Sequence, residues 1–461
     1  MSAEEYPIDV TALRADVTQL MPGVRADLER LVRIPSVSAA AFDAAHVEAS
    51  ATAVRDLLLA EGLAVEILRV DGGAPAVVGH LAGPAGAPTV LLYAHHDVQP
   101  TGVEPGAAWQ DTPWLTDPFE PTERDGRLFG RGAADDKAGV MAHVAALRAL
   151  KAADGGLPVS VTVFVEGEEE IGSPTFGEFL ATYRDRLEAD VIVVADSGNW
   201  KVGVPALTAT LRGLVDGELT VRTLDHAVHS GMFGGVVPDA MTATLRLLNS
   251  FWDADGDVAI EGLVRAPHRG PDYDEADLRA DSGILDGVQL IGRGPLSARM
   301  WTGPALTVTG IDAPSVATSS NTLLPSVRVK YSMRLGPGQD PGEASAALRK
   351  HVEAHTPWGA QVEVVEGERG AAFEADPEQP AYRAARWALS AAWNVEAELI
   401  GIGGSIPFIA DLAEVFPAAT VLVTGVEDPD SRAHGPNESL HLAEFEKACL
   451  AEALLLTALG S

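Results

Sequence analysis

Apolar and polar positions follow two different rhythms along this chain. Residues 22–33 and 43–62 place apolar side chains at helical spacing, and the Ala-, Leu- and Val-rich stretch 138–153 does so again. Between them lie short apolar runs bounded by Gly, Pro or polar residues: Ala64–Val70, Ala76–Leu81, Thr89–Tyr93, Val159–Val165 and Val191–Ala195. Such runs predict buried strands. Strands alternating with helices predict an α/β layer built on a mostly parallel, mixed sheet flanked by helices. After about Pro205 the rhythm changes. Gly217–Thr223, Ala305–Thr309, Val327–Leu335 and Val362–Glu366 read as antiparallel strands, with helices near Pro238–Phe251 and Pro341–His355. That group predicts an inserted α+β domain. Pro377–Trp393 is helical again, Thr420–Thr424 is one more strand, and Cys449–Leu459, interrupted by Glu452, reads as a packed terminal helix. The expected organisation is one domain from 1–206 and 372–461, with a second inserted at 207–371.

Composition narrows the possible partners. Acidic residues (66) outnumber basic ones (33), a net charge of −33 that repels nucleic acid and anionic membranes. No apolar run reaches the ~18–20 residues of a membrane span, and MSAEEYPIDV has neither the basic nor the apolar part of a signal peptide. A cytoplasmic location is expected, without nucleic-acid or membrane partners. Cys449 is the single cysteine, so a metal site would have to use His, Asp and Glu.

The candidate chemistry sits where predicted strands end. Thr89–Tyr93 leads into Ala94-His95-His96-Asp97, Val159–Val165 into Glu166-Gly167-Glu168-Glu169-Glu170, and Val191–Ala195 into Asp196. Thr420–Thr424 leads through a polar loop to His434. In open α/β sheets ligands gather at the carboxyl ends of strands, so His, Glu, Asp and His delivered to one rim form a metal-site pattern. His95 and Asp97 share a face in an extended segment, which lets Asp97 orient the imidazole, while His96 points away. Gly130-Arg131-Gly132-Ala133-Ala134-Asp135-Asp136-Lys137 precedes a helix, where Asp135 is either a cap or a carboxylate bridging two metals. Adjacent Glu169 and Glu170 point in different directions, so one can bind metal while the other handles protons.

With these residues the chain resembles the di-zinc metallopeptidase family of aminoacylases, glutamate carboxypeptidases and carnosinase-type dipeptidases. The matching stretches are AHHDVQP (94–100), GRGAADDKAG (130–139), EGEEEIGS (166–173), ADSG (195–198), HSGMFGG (229–235), NTLLP (321–325), SMRL (332–335), GGSIP (403–407) and AHGPNE (433–438). They run in the family's order over nearly the whole chain, and the DDK, HSG and GGSIP blocks look most like the dipeptidase branch. Two departures stand out: Ala94 replaces the commoner Gly, and Gly401-Ile402 stands where dipeptidases often carry an Arg-acidic pair.

The resemblance implies that His95 and Asp196 hold one divalent metal, Glu170 and His434 the other, and Asp135 both. Zinc is expected, with Mn or Co also accepted by such ligands. Glu169 becomes the general base for a metal-bridged water and Asp97 the support of His95. His229 becomes the contact to the scissile carbonyl oxygen, Arg334 the partner of the substrate's terminal carboxylate, and Thr322 and Ser405 pocket residues. It further implies a cis peptide between Asp135 and Asp136, and a homodimer through the inserted lid and dimerisation domain. The implied activity is hydrolysis of dipeptides or similar short substrates with a free C-terminal carboxylate. An N-acyl-amino-acid deacylase or carbamoylase would use the same centre. An inert binding relative should lack the base or a ligand, and here all are present.

Overall fold

A computed structural model describes residues 6–102, 113–152, 156–404 and 407–461. Its principal strands are β1 (Ala64–Leu68), β2 (Ala76–Leu81), β3 (Thr89–His95), β4 (Ser160–Glu166), β5 (Val191–Val194), β6 (Ala206–Leu211), β7 (Gly213–Arg222), β8 (Ala305–Asp312), β9 (Ser326–Leu335), β10 (Gln361–Gly370) and β11 (Thr420–Val423). The fold is α/β, with two compact units. One contains the chain up to Thr208 together with Ala375–Ile400 and Asp411–Ser461; the other contains Ala209–Glu374 and Gly401–Ala410.

In the first unit the sheet runs β1-β2-β4-β3-β5-β11-β6. Its centre, β4-β3-β5-β11, is parallel, while β1, β2 and β6 pair antiparallel at the flanks. Parallel strands are covered on both faces, which explains why Leu91, Leu92, Val161, Val163, Ile192, Val193 and Leu422 are all buried. The register brings the strand ends level: His95 lies opposite Glu166, and Val194 opposite both Tyr93 and Val423. Helix Lys137–Ala152 packs against helices Val10–Val32 and Leu442–Leu459. The first of these starts twelve residues earlier than its apolar spacing suggests and carries Pro22 inside it. Proline removes a helical hydrogen bond, so the sequence alone reads Pro22 as a start. Asp9, which caps the helix by accepting from Thr11 and Ala12, marks the true start. Among the described residues no helix is long and apolar enough to cross a membrane.

The second unit is an antiparallel sheet, β8-β9-β7-β10, with helices Ala240–Asn249 and Pro341–His355 on it. Alternation along β7 and β9 buries Val215, Leu219, Val221, Val327, Val329, Tyr331 and Met333, which meet Ala243, Leu247, Leu348 and Val352 of the helices in one core. Pro341 at the first turn and the Asp340 cap, accepting from Glu343 at 2.8 Å, explain why that helix starts where its sequence says it should.

Candidate metal centre

The four parallel strands of the first unit each deliver a side chain to the same edge of the sheet. His95 is the last residue of β3, Glu169 and Glu170 follow β4 in a single 3-10 turn, and Asp196 follows β5 by two residues. His434 arrives on the loop after β11. Asp135 joins them from the turn before helix Lys137–Ala152, and its peptide bond to Asp136 is cis.

These side chains form two groups sharing one residue. His95, Asp135 and Asp196 can bring ligand atoms within 4.8 Å of one another, and so can Asp135, Glu170 and His434. Asp135 divides its two oxygens between them: Oδ1 lies 3.0 Å from His95 Nε2 and Oδ2 lies 3.1 Å from His434 Nε2. His434 Nε2 is also 3.1 Å from Glu170 Oε2, a buried oxygen whose hydrogen-bonding capacity is unmet. Two imidazoles, three carboxylates and an orphaned buried oxygen form a donor set that fits two divalent cations.

The electrostatics agree. Burial and the charges of Asp196 and Glu170 push Glu169 up to about 9. Burial, with Asp135 and Glu170 nearby, pushes Asp196 up to about 7. The adjacent carboxylates of Asp135 and Glu170, each with an oxygen 3.1 Å from Nε2, raise His434 to about 11. Burial opposes the ionised form of Asp135, yet contacts with His434 and His95 outweigh it and hold that carboxyl below its usual range. Crowded acids that must hold protons, beside imidazoles pulled towards imidazolium, are a surplus of negative charge that cations would neutralise.

The three adjacent glutamates separate by what they touch. Glu168 is consumed by structure: it accepts from Ala74 N at 3.0 Å, Thr175 N at 2.8 Å and Thr175 Oγ1 at 2.5 Å. Glu170 faces His434. Glu169 Oε2 lies 3.9 Å from His95 Nε2 and makes no shorter polar contact among the described residues, leaving that carboxylate open for chemistry. Asp97 supports both sides of the site. Its main-chain oxygen accepts from His95 Nδ1 at 3.1 Å and its Oδ1 stands 3.4 Å from the same nitrogen. Its carboxylate also accepts from Glu169 N at 3.3 Å and Glu170 N at 3.1 Å. With Nδ1 donating, His95 presents Nε2 to the cluster. His96 turns away, Nε2 donating to Pro75 O at 2.8 Å, and burial lowers it to about 4.

Some supporting residues carry no distinctive sequence signal. Glu438, fully buried, accepts from Arg131 Nη1 at 2.6 Å and from the backbone N–H groups of Gly132, Ala134 and Asp135 at 3.0–3.1 Å. Arg131 in turn donates to His434 O at 2.9 Å. This pair joins the loop of Asp135 to the loop of His434. Asp136 accepts from His95 N at 3.2 Å. An acidic residue ending AHGPNE and a basic one inside GRGAADDK read equally well as solvated loop charges, so only their contacts reveal the clamp.

The remaining candidates lie in the second unit. His229 pairs with Thr322 across a two-stranded ribbon, and its Nδ1 accepts from Gly231 N at 3.0 Å. A neutral ring accepting at Nδ1 carries its proton on Nε2, so the free edge of His229 is a donor. Arg334 sits near the end of β9, opposite Leu214. Ser405 lies outside the described residues.

With a parallel-centred α/β sheet and these paired acid–imidazole groups in view, the class is that of a metal-dependent hydrolase. Residues 91–458 match the model of peptidase family M20/M25/M40, and the chain belongs to that family. It is a metallopeptidase of the dipeptidase-like kind. The chain is 37% identical over 392 residues to cysteinylglycine-S-conjugate dipeptidase of Corynebacterium striatum, covering 84% of each. It is 30% identical to Beta-Ala-His dipeptidase of Rattus norvegicus, over 80% of this chain and 76% of that one. Human carnosine dipeptidase 1 has a similar fold, with a TM-score of 0.76 at 24% identity over 98% of this chain and 99% of that one.

Proposed function

We propose that the protein hydrolyses the amide bond of dipeptides, or similar short substrates with a free C-terminal carboxylate, in the cytoplasm. The observation that carries this reading is the division of the three glutamates, which leaves Glu169 alone with an open carboxylate beside a two-cation donor set. His95, Asp135 and Asp196 would hold one cation and Asp135, Glu170 and His434 the other, zinc being the expected ion. Bound cations of this kind supply Lewis acidity, which polarises a carbonyl and makes a water easier to deprotonate. Glu169 takes the proton of the attacking water and returns it to the leaving amine. Asp97 keeps the His95 ring oriented and the Glu169–Glu170 turn in place. His229 donates from Nε2 to the oxygen of the scissile carbonyl as charge builds there. Arg334 pairs with the terminal carboxylate, and Thr322 and Ser405 line the pocket.

In this reading 1–206 and 372–461 form the catalytic domain and 207–371 a lid through which two copies associate, with His229 serving the partner's site. Support comes from Met232, Phe233 and Val236, which expose apolar surface beside His229. The deciding experiment is a panel of dipeptides and N-acyl-amino acids assayed with added Zn, Mn or Co and with a chelator. Dipeptide hydrolysis lost on chelation and restored by metal is expected. Cleavage of acyl-amino acids alone would overturn the dipeptide reading.

A further inference from the structure

The second unit sets Arg212 near Arg334 and, among the described residues, pairs Arg212 with no acid. Arg212 stands between β6 and β7, with its backbone N–H 3.4 Å from Ile402 O and its Nε donating to Gly403 O at 2.8 Å. The glycines of that loop make the approach possible. A Cβ on Gly403 would come 3.0 Å from Arg212 Nη2, and one on Gly401 would strike Thr210 Oγ1 and Trp301 Cβ, both at 2.5 Å. Arg334 is the neighbouring cation: its register partner Leu214 lies two residues beyond Arg212. Burial, with the charge of Arg334 added to it, lowers Arg212 to about 10.

Three arginines whose side chains are 18% exposed or less each face an acid. Arg127 faces Asp428, Arg131 faces Glu438 and Arg148 faces Glu61. Among the described residues Arg212 has no such ion pair, although the chain has 66 acidic residues to draw on. Holding a half-buried guanidinium beside a second cation is unfavourable unless an anion joins them. Nε of Arg212 is already engaged, so the Nη edge is what faces a ligand, and a guanidinium edge matches a carboxylate in shape and charge.

We propose that Arg212 and Arg334 form one carboxylate-binding site, in which Arg212 is a second specificity-determining residue for the substrate's free C-terminal carboxylate. This rests on the dipeptidase reading above, which assigns Arg334 alone to that group. A substrate ending in an amide places N–H groups against these donors and brings no charge, so the pair selects acids over amides.

The test compares kcat/KM for Ala-Gly and Ala-glycinamide in the wild type, Arg212→Met and Arg212→Lys. The wild type should prefer the acid. Arg212→Met should reduce that preference at least tenfold, mainly through KM, with unchanged metal content and circular dichroism. Arg212→Lys, which keeps charge without the fork, should fall between. A folded, metal-loaded Arg212→Met with the wild-type acid-to-amide ratio overturns the proposal. Should that variant not fold, phenylglyoxal labelling of Arg212 in the wild type, read by peptide mass spectrometry, decides instead. Glycine should slow the labelling severalfold and glycinamide should not; equal rates overturn the site. A wild type that cleaves no dipeptide would sink the dipeptidase reading alone, because glycine protection is read without turnover.

Discussion

Glu168, Glu169 and Glu170 are identical side chains in sequence, and their roles come entirely from their neighbours. Glu169→Gln keeps the shape and loses the base. It is expected to retain two metals by elemental analysis while turnover drops about 10²–10⁴-fold. Near-normal turnover would move the base elsewhere. Glu170→Gln should instead lower metal content below two per chain, because Glu170 Oε2 faces His434 Nε2 at 3.1 Å. At this scale the sequence was informative wherever a residue ends a strand: His95, Glu169, Glu170 and Asp196 could be picked out from the apolar runs before them. Asp135 stayed ambiguous between cap and ligand. The structure shows the helix starting at Lys137 and both Asp135 oxygens turned to histidines. Cys449 offers a contrast. Burial pushes its thiol well above the ordinary range, so in the native protein it should resist a thiol reagent and become titratable only on unfolding.

Elements hold these residues in place through a few buried polar contacts. Arg131 and Glu438 tie two loops together from fully buried positions. Breaking one partner of such a pair leaves an uncompensated charge, so Arg131→Met should cost about 3–5 kcal/mol in urea unfolding and weaken metal retention with it. A variant with wild-type stability would show the clamp to be dispensable. Helix Lys137–Ala152 is fastened similarly: His143 Nδ1 lies 2.7 Å from Glu452 Oε1 of the terminal helix, and its Nε2 lies 3.0 Å from Tyr93 O of β3. Burial opposes the charged ring, but Glu452 and the Tyr93 carbonyl outweigh it and raise the His143 pKa. A histidine raised on folding stabilises the protein fully below its unfolded value near 6.5, and that contribution fades as pH rises through the folded value. Each tenfold bias toward the protonated ring is worth about 1.4 kcal/mol. His143→Gln should therefore flatten the loss of stability above neutrality; an unchanged slope would assign it to another group. Glu452 looked like an interruption in an apolar helix, because the sequence does not show that its partner sits three hundred residues away. Periodicity served better for elements with local signals, such as Pro341–His355 with its Asp340 cap, than for Val10–Val32, where Pro22 hides the continuation.

For the molecule as a whole, the alternating α/β rhythm and its interruption after Pro205 were legible because each follows from burial on one or both faces of a sheet. The partner of His229 was not, since nothing in a single chain's pattern states which copy a loop serves. His229 is exposed, presents a donating Nε2, and adjoins Met232 at 76% and Val236 at 90% exposure, an apolar surface that a second copy would cover. A dimer in which His229 acts across the interface makes a sharp prediction. Glu169→Gln and His229→Ala are each expected to be inactive alone. When the two are mixed and subunits exchange, the site with intact Glu169 receives His229 from the other chain, so each heterodimer gains one complete site. Random exchange of equal amounts should then restore about a quarter of wild-type activity, half the dimers carrying one working site of two. If His229 serves its own chain, every site in the mixture lacks either the base or the donor. Native mass spectrometry that finds heterodimers without recovered activity would place His229 in its own subunit's site, and a monomer at assay concentration would remove the dimer altogether.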